Sequence, residues 1–371
     1  MYDYLIVGAG FAGCTVAERL ASQSNAKVLV VDERDHVGGN AHDFIDESGN
    51  RVHRYGPHVF HTSSVRVVEY LSRFTAWRPY EHRVLANLGG RHVPVPINRT
   101  TLNRIYGLSL TEDEAARFLR ERAEPRSKLL TSEDAVVSKT GRELYELLYR
   151  GYTRKHWGLD PSELDASVCG RIPVRTNDDD RYFSDWFQAM PAGGFTALCE
   201  RMLDHPNIET ALSMSFESAV DAFTFDRIVY TGPIDAYYDH RFGRLAYRSL
   251  HFEFLTVPSN EGLPAGCVNE PSEHVAYTRT TDFAHVCANS SSTTVLCREY
   301  PRAIGEPYYP IPRPENRELY RRYKKLADRE QNVTFVGRLA EYRYYNMDQV
   351  VASALAAFER LARDGAARQI A

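Results

Sequence analysis

Six short segments of this 371-residue chain concentrate arginine, tyrosine and histidine. GYTRKHWG (151–158) carries Tyr152, Thr153, Lys155, His156 and Trp157, and GRIPVR (170–175) carries Arg171 and Arg175. YRSL (247–250) adds Arg248, and AYTR (276–279) adds Tyr277 and Arg279. EPYYPIP (306–312) presents Tyr308 and Tyr309, and EYRYYNMD (341–348) presents Tyr342, Arg343, Tyr344 and Tyr345. A guanidinium is planar, permanently charged and matched to phosphate oxygens. Tyrosine joins flat apolar area to a hydroxyl, which suits bases and sugars. Singly, each arginine is explained as well by a surface ion pair and each tyrosine by a half-buried core position. No Ser-His-Asp set, metal-ligand cluster or pair of catalytic carboxylates is apparent.

The elements that must position these groups begin at the N-terminus. GAGFAG (8–13) follows the apolar run Leu5 to Val7 and precedes a stretch of helical period. Gly8, Gly10 and Gly13 serve a tight turn, a close approach to a pyrophosphate, and helix-on-strand packing, with Phe11 among them. The helix N-terminus then offers free N–H groups to phosphate. Asp32 and Glu33 end the next apolar run, Val28 to Val31, and Asp32 is placed to accept from a ribose hydroxyl. Strand, glycines, helix, strand and acid in this order predict a dinucleotide-binding βαβ unit. The glycine pair Gly38–Gly39, followed by Asn40, lets backbone pass close to something bulky and favours FAD over NAD.

Length suggests two or three domains. A net charge of −4 gives no sign of a nucleic-acid partner. The apolar start lacks a preceding basic residue, so it reads as a strand and not a signal peptide. No apolar run is long enough to span a membrane. Six scattered cysteines without a CxxC read as thiols in a reducing cytoplasm. Val65, Val68, Leu71 and Phe74 predict a helix, and NVTFVG (332–337) a strand. Met347, Val350, Val351, Ala354, Leu355, Phe358 and Leu361 predict a terminal helix. Thr111 and Glu114 form a capping box within a helical region, where Leu144, Leu147 and Leu148 give another stripe. Residues 168–192 and 240–312 read as strands, and 195–231 as helix then strand.

In this order the segments resemble the bacterial UDP-galactopyranose mutases over nearly the whole chain. The resemblance rests on GAGFAG with VLVVDERDHVGGN, YGPHVFHT (55–62), GYTRKHWG, RIPVR, RYFSDWFQAMPAGGFT (181–196), YTGPID (230–235), YTR (277–279), PYYPI (307–311), FVGRLAEYRYYNMD (335–348) and the terminal helix. It implies an α/β fold with a discontinuous FAD-binding Rossmann-like domain (1–78, 193–239 and 313–371). A helical-bundle domain (98–167) and an antiparallel, six-stranded-type β-sheet domain (79–97, 168–192 and 240–312) complete it, with a mobile loop at 166–178. The implied reaction is the interconversion of UDP-galactopyranose and UDP-galactofuranose on reduced FAD. Flavin N5 is the nucleophile at the anomeric carbon, and there is no net redox.

Carried over by position, Arg171 and Arg279 are the diphosphate clamp, and Arg171, Arg279 and His61 the catalytic set. Tyr182, Tyr309 and Tyr344 bond the phosphates, while Tyr152, Thr153, Trp157 and Asn269 lie near uridine and sugar. His58, Val59 and His61 lie on the flavin side, and Arg338, Tyr344 and Met347 wrap the flavin. Arg248 and Glu299 are expected as a charged pair near sugar or flavin. Asn346 stands where the family pattern places aspartate, Glu270 where an aromatic is expected, and the lysine expected after Arg279 is missing. These departures leave open the same reaction on a different NDP-hexopyranose, an inactive nucleotide-sugar-binding homologue, or an amine-oxidase-like flavin oxidoreductase. The expected partner is a small UDP-sugar, with no nucleic acid and no membrane segment, in the cytoplasm; a homodimer is left open.

Overall fold

The computed structural model describes residues 1–370, with side chains through Asp364, and brings the two ends of the chain into one parallel sheet. Its order is β10 (Ile208–Leu212), β2 (Val28–Asp32), β1 (Tyr2–Val7), β11 (Phe225–Tyr230) and β17 (Val333–Phe335). Leu5, Ile6 and Val28 to Val31 are fully buried, as strands covered on both faces require. On one face α1 (Phe11–Ser24) packs with α2 (Val65–Leu71), α9 (Gly194–Leu203) and α14 (Met347–Ile370). On the other, α10 (Phe216–Ala222) brings Ala219 against Leu5 and Leu29. α11 (Ile234–Tyr237) and α13 (Pro314–Ala327) gather around Tyr323 and Phe335.

Two glycines set the closeness of this packing. Gly8 has φ +104°, a left-handed value that turns the chain out of β1. A Cβ at Gly13 would stand 1.8 Å from the Gly8 carbonyl oxygen, so α1 lies on β1 at a distance that a side chain forbids.

The second large sheet has seven strands, one more than expected. Its order is β16 (Tyr309–Pro310), β12 (Tyr247–Pro258), β15 (Thr293–Arg302), β14 (Arg279–Asp282), β13 (Cys267–Asn269), β7 (Val84–Leu88) and β8 (Arg91–Val95). The seventh strand is the two-residue β16, and the β13–β7 pair is parallel within an otherwise antiparallel sheet. Residues 168–192 supply no strand to it. They give α8 (Ser167–Gly170) and β9 (Phe187–Pro191), which pairs with β5 (Phe60–Thr62) and β6 (Trp77–Pro79). The intervening turn spends its carbonyls on a side chain instead of a ladder: Arg175 donates to those of Asp179, Arg181 and Phe183. A small hairpin joins β3 (Asp43–Ile45) to β4 (Arg51–His53), and α12 (Phe283–Cys287) follows β14.

The remaining helices are α3 (Arg99–Tyr106), α4 (Glu112–Arg122), α5 (Ser132–Thr140), α6 (Arg142–Tyr145) and α7 (Gly151–Trp157). Thr111 and Glu114 cap α4 reciprocally, as the sequence predicts. A π-helical turn, Glu146–Arg150, joins α6 to α7. The stripe read from Val65, Val68, Leu71 and Phe74 is buried only in part, at Leu71 and, less deeply, Phe74. α2 ends at Leu71 and buries Val67, Tyr70 and Leu71, leaving Val65 exposed. The Tyr70 hydroxyl donates to buried Glu18 at 3.0 Å, and this polar anchor turns the helix away from its apolar phase. Among the described residues no helix is long and apolar enough to cross a membrane.

Gly13→Ala drives a methyl into backbone that no rotamer can relieve. It is expected to cost at least about 1–3 kcal/mol, read as a lower thermal midpoint.

Candidate active site

Strand register builds one wall of the site. Asn269 on β13 faces Arg279 on β14, and Arg279 faces Glu299 on β15, so three polar side chains stand in a row on one face. Arg279 Nε donates to Glu299 Oε1 at 2.5 Å. Glu299 is fully buried, and among the described residues its other oxygen has no hydrogen-bond partner. Burial works against charge on Arg279, but the Glu299 carboxylate, together with the smaller contributions of the groups around it, more than offsets it and holds the guanidinium well above its ordinary value. The bond through Nε leaves the two terminal amino groups of Arg279 for a ligand.

This row opens on a cavity of about 370 Å³. A smaller cavity of about 130 Å³ shares Tyr152, Arg171, Tyr182, Asn269, Arg279, Tyr309 and Tyr344 with it and adds Thr153 and Trp157. Arg171 follows α8. Its Nη2 donates to the Tyr344 hydroxyl at 2.9 Å, and its guanidinium lies 4.4 Å from that ring's centre. Arg171 is open to solvent on the cavity side and ringed by protein elsewhere. Burial pushes the Tyr344 phenol up, yet the guanidinium groups of Arg171, Arg338 and Arg279 outweigh it and hold the phenol below its usual range. Trp157 meets Tyr344 edge-on at 5.8 Å and Tyr309 at 6.2 Å, completing an aromatic wall.

Histidines line the opposite side. His61 Nδ1 lies 2.6 Å from Asp185 Oδ2, and its ring stacks on Phe183 at 3.6 Å. His58 donates from Nδ1 to the Gly56 carbonyl at 3.0 Å, which leaves Nε2 as an acceptor. Burial pushes His53, His58, His82 and His156 down to about 3, so all four are neutral near pH 7.

The residues expected to hold a cofactor fit a dinucleotide. α1 starts at a Gly10 N-cap with no side-chain cap and no acid in its first turn, so its leading N–H groups are unclaimed. A Cβ on Gly39 would come 3.0 Å from the Gly10 Cα; the two turns touch because both residues are glycine. Asp32 accepts from the backbone of Ala9 at 2.8 Å and Arg34 at 2.9 Å, so it braces the glycine turn and keeps one lone pair per oxygen for a hydroxyl. Asn40, His58, Val59, Arg338, Asn346 and Met347 line the large cavity, and Met347 begins α14 with Asn346 immediately before it. Glu33 is exposed, and the Phe11 ring is core, edge-on to Phe195 at 6.0 Å. Only backbone at Phe11 can face a ligand.

One expected pairing is corrected. Arg248 and Glu299 do not pair. Arg248 is buried beneath α7, where Nε donates to the His156 carbonyl at 2.8 Å and Nη2 to that of Lys155 at 3.4 Å. It satisfies the orphan carbonyls at a helix C-terminus, where a cation is also favoured by the dipole. Thr153 lies 3.6 Å from the Cys169 sulfur. His82, Phe183 and Asp185 also line the large cavity; Phe183 and Asp185 belong to the 181–196 segment without being singled out in it, and His82 lies in none of the quoted segments. Phe183 and Asp185 are placed by the β5–β9 pairing, in which His61 faces Gln188, and His82 by its carbonyl's bond from the Tyr182 backbone. Local sequence carries no trace of that register.

Residues 147–344 match the family described as UDP-galactopyranose mutase, and residues 6–74 match a NAD(P)-binding Rossmann-like domain. The chain is 41% identical to a probable UDP-galactopyranose mutase of Klebsiella pneumoniae over 95% of its own length and 93% of that protein. It is 36% identical to a dTDP-fucopyranose mutase of Escherichia coli, covering 96% of this chain and 97% of the other. A crystal structure of a reduced UDP-galactopyranose mutase superposes with a TM-score of 0.74 at 18% identity, covering 97% of this chain and 94% of that one. A putative protoporphyrinogen oxidase from Exiguobacterium reaches 0.69 at 12% identity, covering 96% and 98%. The fold is therefore common to proteins with different names, and the site must separate them.

Arg279→Ala strands a buried carboxylate and is expected to cost about 3–5 kcal/mol of stability. Arg171→Ala, at the cavity edge, should change stability by less than about 0.5 kcal/mol; denaturant unfolding of both variants measures the contrast. Below about pH 6.5 the unfolded chain takes up protons that buried His53, His82 and His156 refuse until about pH 3. Stability therefore falls as pH drops through that window, by up to about 1.4 kcal/mol per pH unit for each group. Melts from pH 7 to 4 should show this slope, and His82→Gln should make it shallower.

Proposed function

Because this chain belongs to the UDP-galactopyranose mutase family, we propose that it interconverts UDP-galactopyranose and UDP-galactofuranose with reduced FAD bound and no net redox. The observation that carries this reading is that Arg171 and Arg279 line the same cavity, with Tyr182, Tyr309 and Tyr344 around them and the start of α14 beside them. When bound, the flavin supplies the nucleophile for the anomeric carbon. Gly8, Gly10, Gly13, Asp32, Gly39 and Asn40 hold the dinucleotide, and Arg338, His58, His61 and Met347 flank its reactive ring.

The chain's own part is to bind and orient. Arg279, fixed through Nε by Glu299, directs its terminal amino groups to the diphosphate, and Arg171 with the three phenols takes the remaining oxygens. Fixing both phosphates fixes the anomeric carbon and stabilises charge on the departing diphosphate. Segment 166–178 withdraws Arg171 to admit the sugar and returns it on closure. Trp157, Tyr152 and Asn269 meet the base and sugar.

A second reading, the same reaction on another nucleotide hexopyranose, is favoured by the 36% identity to a dTDP-fucopyranose mutase. Dithionite-reduced protein incubated with UDP-galactofuranose is expected to form UDP-galactopyranose, and oxidised protein is not. Conversion of dTDP-fucopyranose but not of the UDP-sugar would select the second reading. An untouched panel of nucleotide sugars would overturn both.

A further inference from the structure

Lys155 belongs to the segment richest in site residues, yet it lines neither cavity described above. Its half-buried ammonium points instead at the turn 270–278, which links β13 to β14. It donates to the carbonyls of Glu270 at 2.6 Å, Val275 at 2.9 Å and Tyr277 at 2.9 Å. An ammonium has three protons to give and accepts none, so its whole capacity goes to this one turn. Gly151, four residues earlier on the same face of α7, admits the turn: a Cβ there would stand 2.3 Å from the Pro271 carbonyl oxygen. At the rim Arg154 Nη1 meets Glu273 at 3.2 Å.

The turn leaves the sheet at Asn269 and re-enters it at Arg279, two residues paired in register and both facing the cavity. Slack between them becomes displacement of both. Three carbonyls converging on one point also repel one another unless a cation joins them. We propose that Lys155 is a positioning residue for the diphosphate site, holding the 270–278 turn so that Arg279 and Asn269 face Tyr152 and Trp157 of its own helix. The proposal rests on a nucleoside diphosphate being the ligand. Arginine cannot take this place, because a planar fork does not reproduce a three-way donor.

The test is calorimetric titration of UDP into the FAD-loaded protein. Lys155→Met and Lys155→Arg are each expected to weaken UDP binding at least tenfold while FAD content is unchanged. Gly151→Ala, which presses on the same turn from its other contact, should do likewise if the lysine variants fail to fold. Lys155→Met combined with Arg279→Ala should lose less than the sum of the two single losses, because the lysine acts in part through the arginine. UDP affinity at the wild-type level in the Lys155 variants, or additive losses in the double variant, would overturn the proposal alone. Wild-type protein that does not bind UDP would overturn the proposed function, and this proposal with it.

Discussion

A carboxylate removed from water must meet a cation or lose its charge. Glu299 is removed from water completely, and the cation it meets is Arg279 on the neighbouring strand. The rest of the site depends on that bond. It requires β14 and β15 to keep their register, which the long β12–β15 pairing secures, and it rotates Arg279 about Nε so that its far nitrogens face outward. A one-residue slip would send Arg279 to the other face of the sheet.

Around this pair the cations divide by what they hold. Arg248, Lys155 and Arg338 donate to backbone carbonyls. These are neutral partners, so the bonds fix turns and helix ends without cancelling charge. Arg338 still faces the cavity while it donates to the Tyr345 carbonyl at 3.0 Å. Arg171 bonds to a phenol, also neutral. The consequence is a pocket in which Glu299 offsets one guanidinium and the others keep their field. Low local dielectric strengthens such a field toward a dianionic diphosphate.

How much of this was legible in the sequence follows from range. The glycine turn, the Thr111 cap and the terminal helix are written within a few consecutive residues, and they appear where the spacing places them. Arg171 and Arg279 were found through a resemblance that spans the chain. The partner of Arg279 was not, because Arg248 and Arg279 both stand near Glu299 in any sequence-level argument and only strand register chooses between them. Lys155 was grouped with ligand-handling residues by its neighbours in the chain; its direction is set by Gly151 and by a turn more than a hundred residues away. The face of α2 was misjudged for a similar reason: a single buried hydroxyl bond, Tyr70 to Glu18, outweighed the apolar count.

The contact between α1 and α14 joins the first helix of the chain to its last. As the polypeptide leaves the ribosome, the flank of α1 that α14 covers stays uncovered until more than three hundred further residues have been made. β17 likewise reaches the sheet late, after every strand of the other three sheets has been synthesised. The glycine turn thus emerges first but acquires its finished surroundings last, and cofactor loading becomes a closing event of biogenesis. Late closure of this kind leaves apolar surface to be shielded while the chain is incomplete, which is where chaperone demand concentrates.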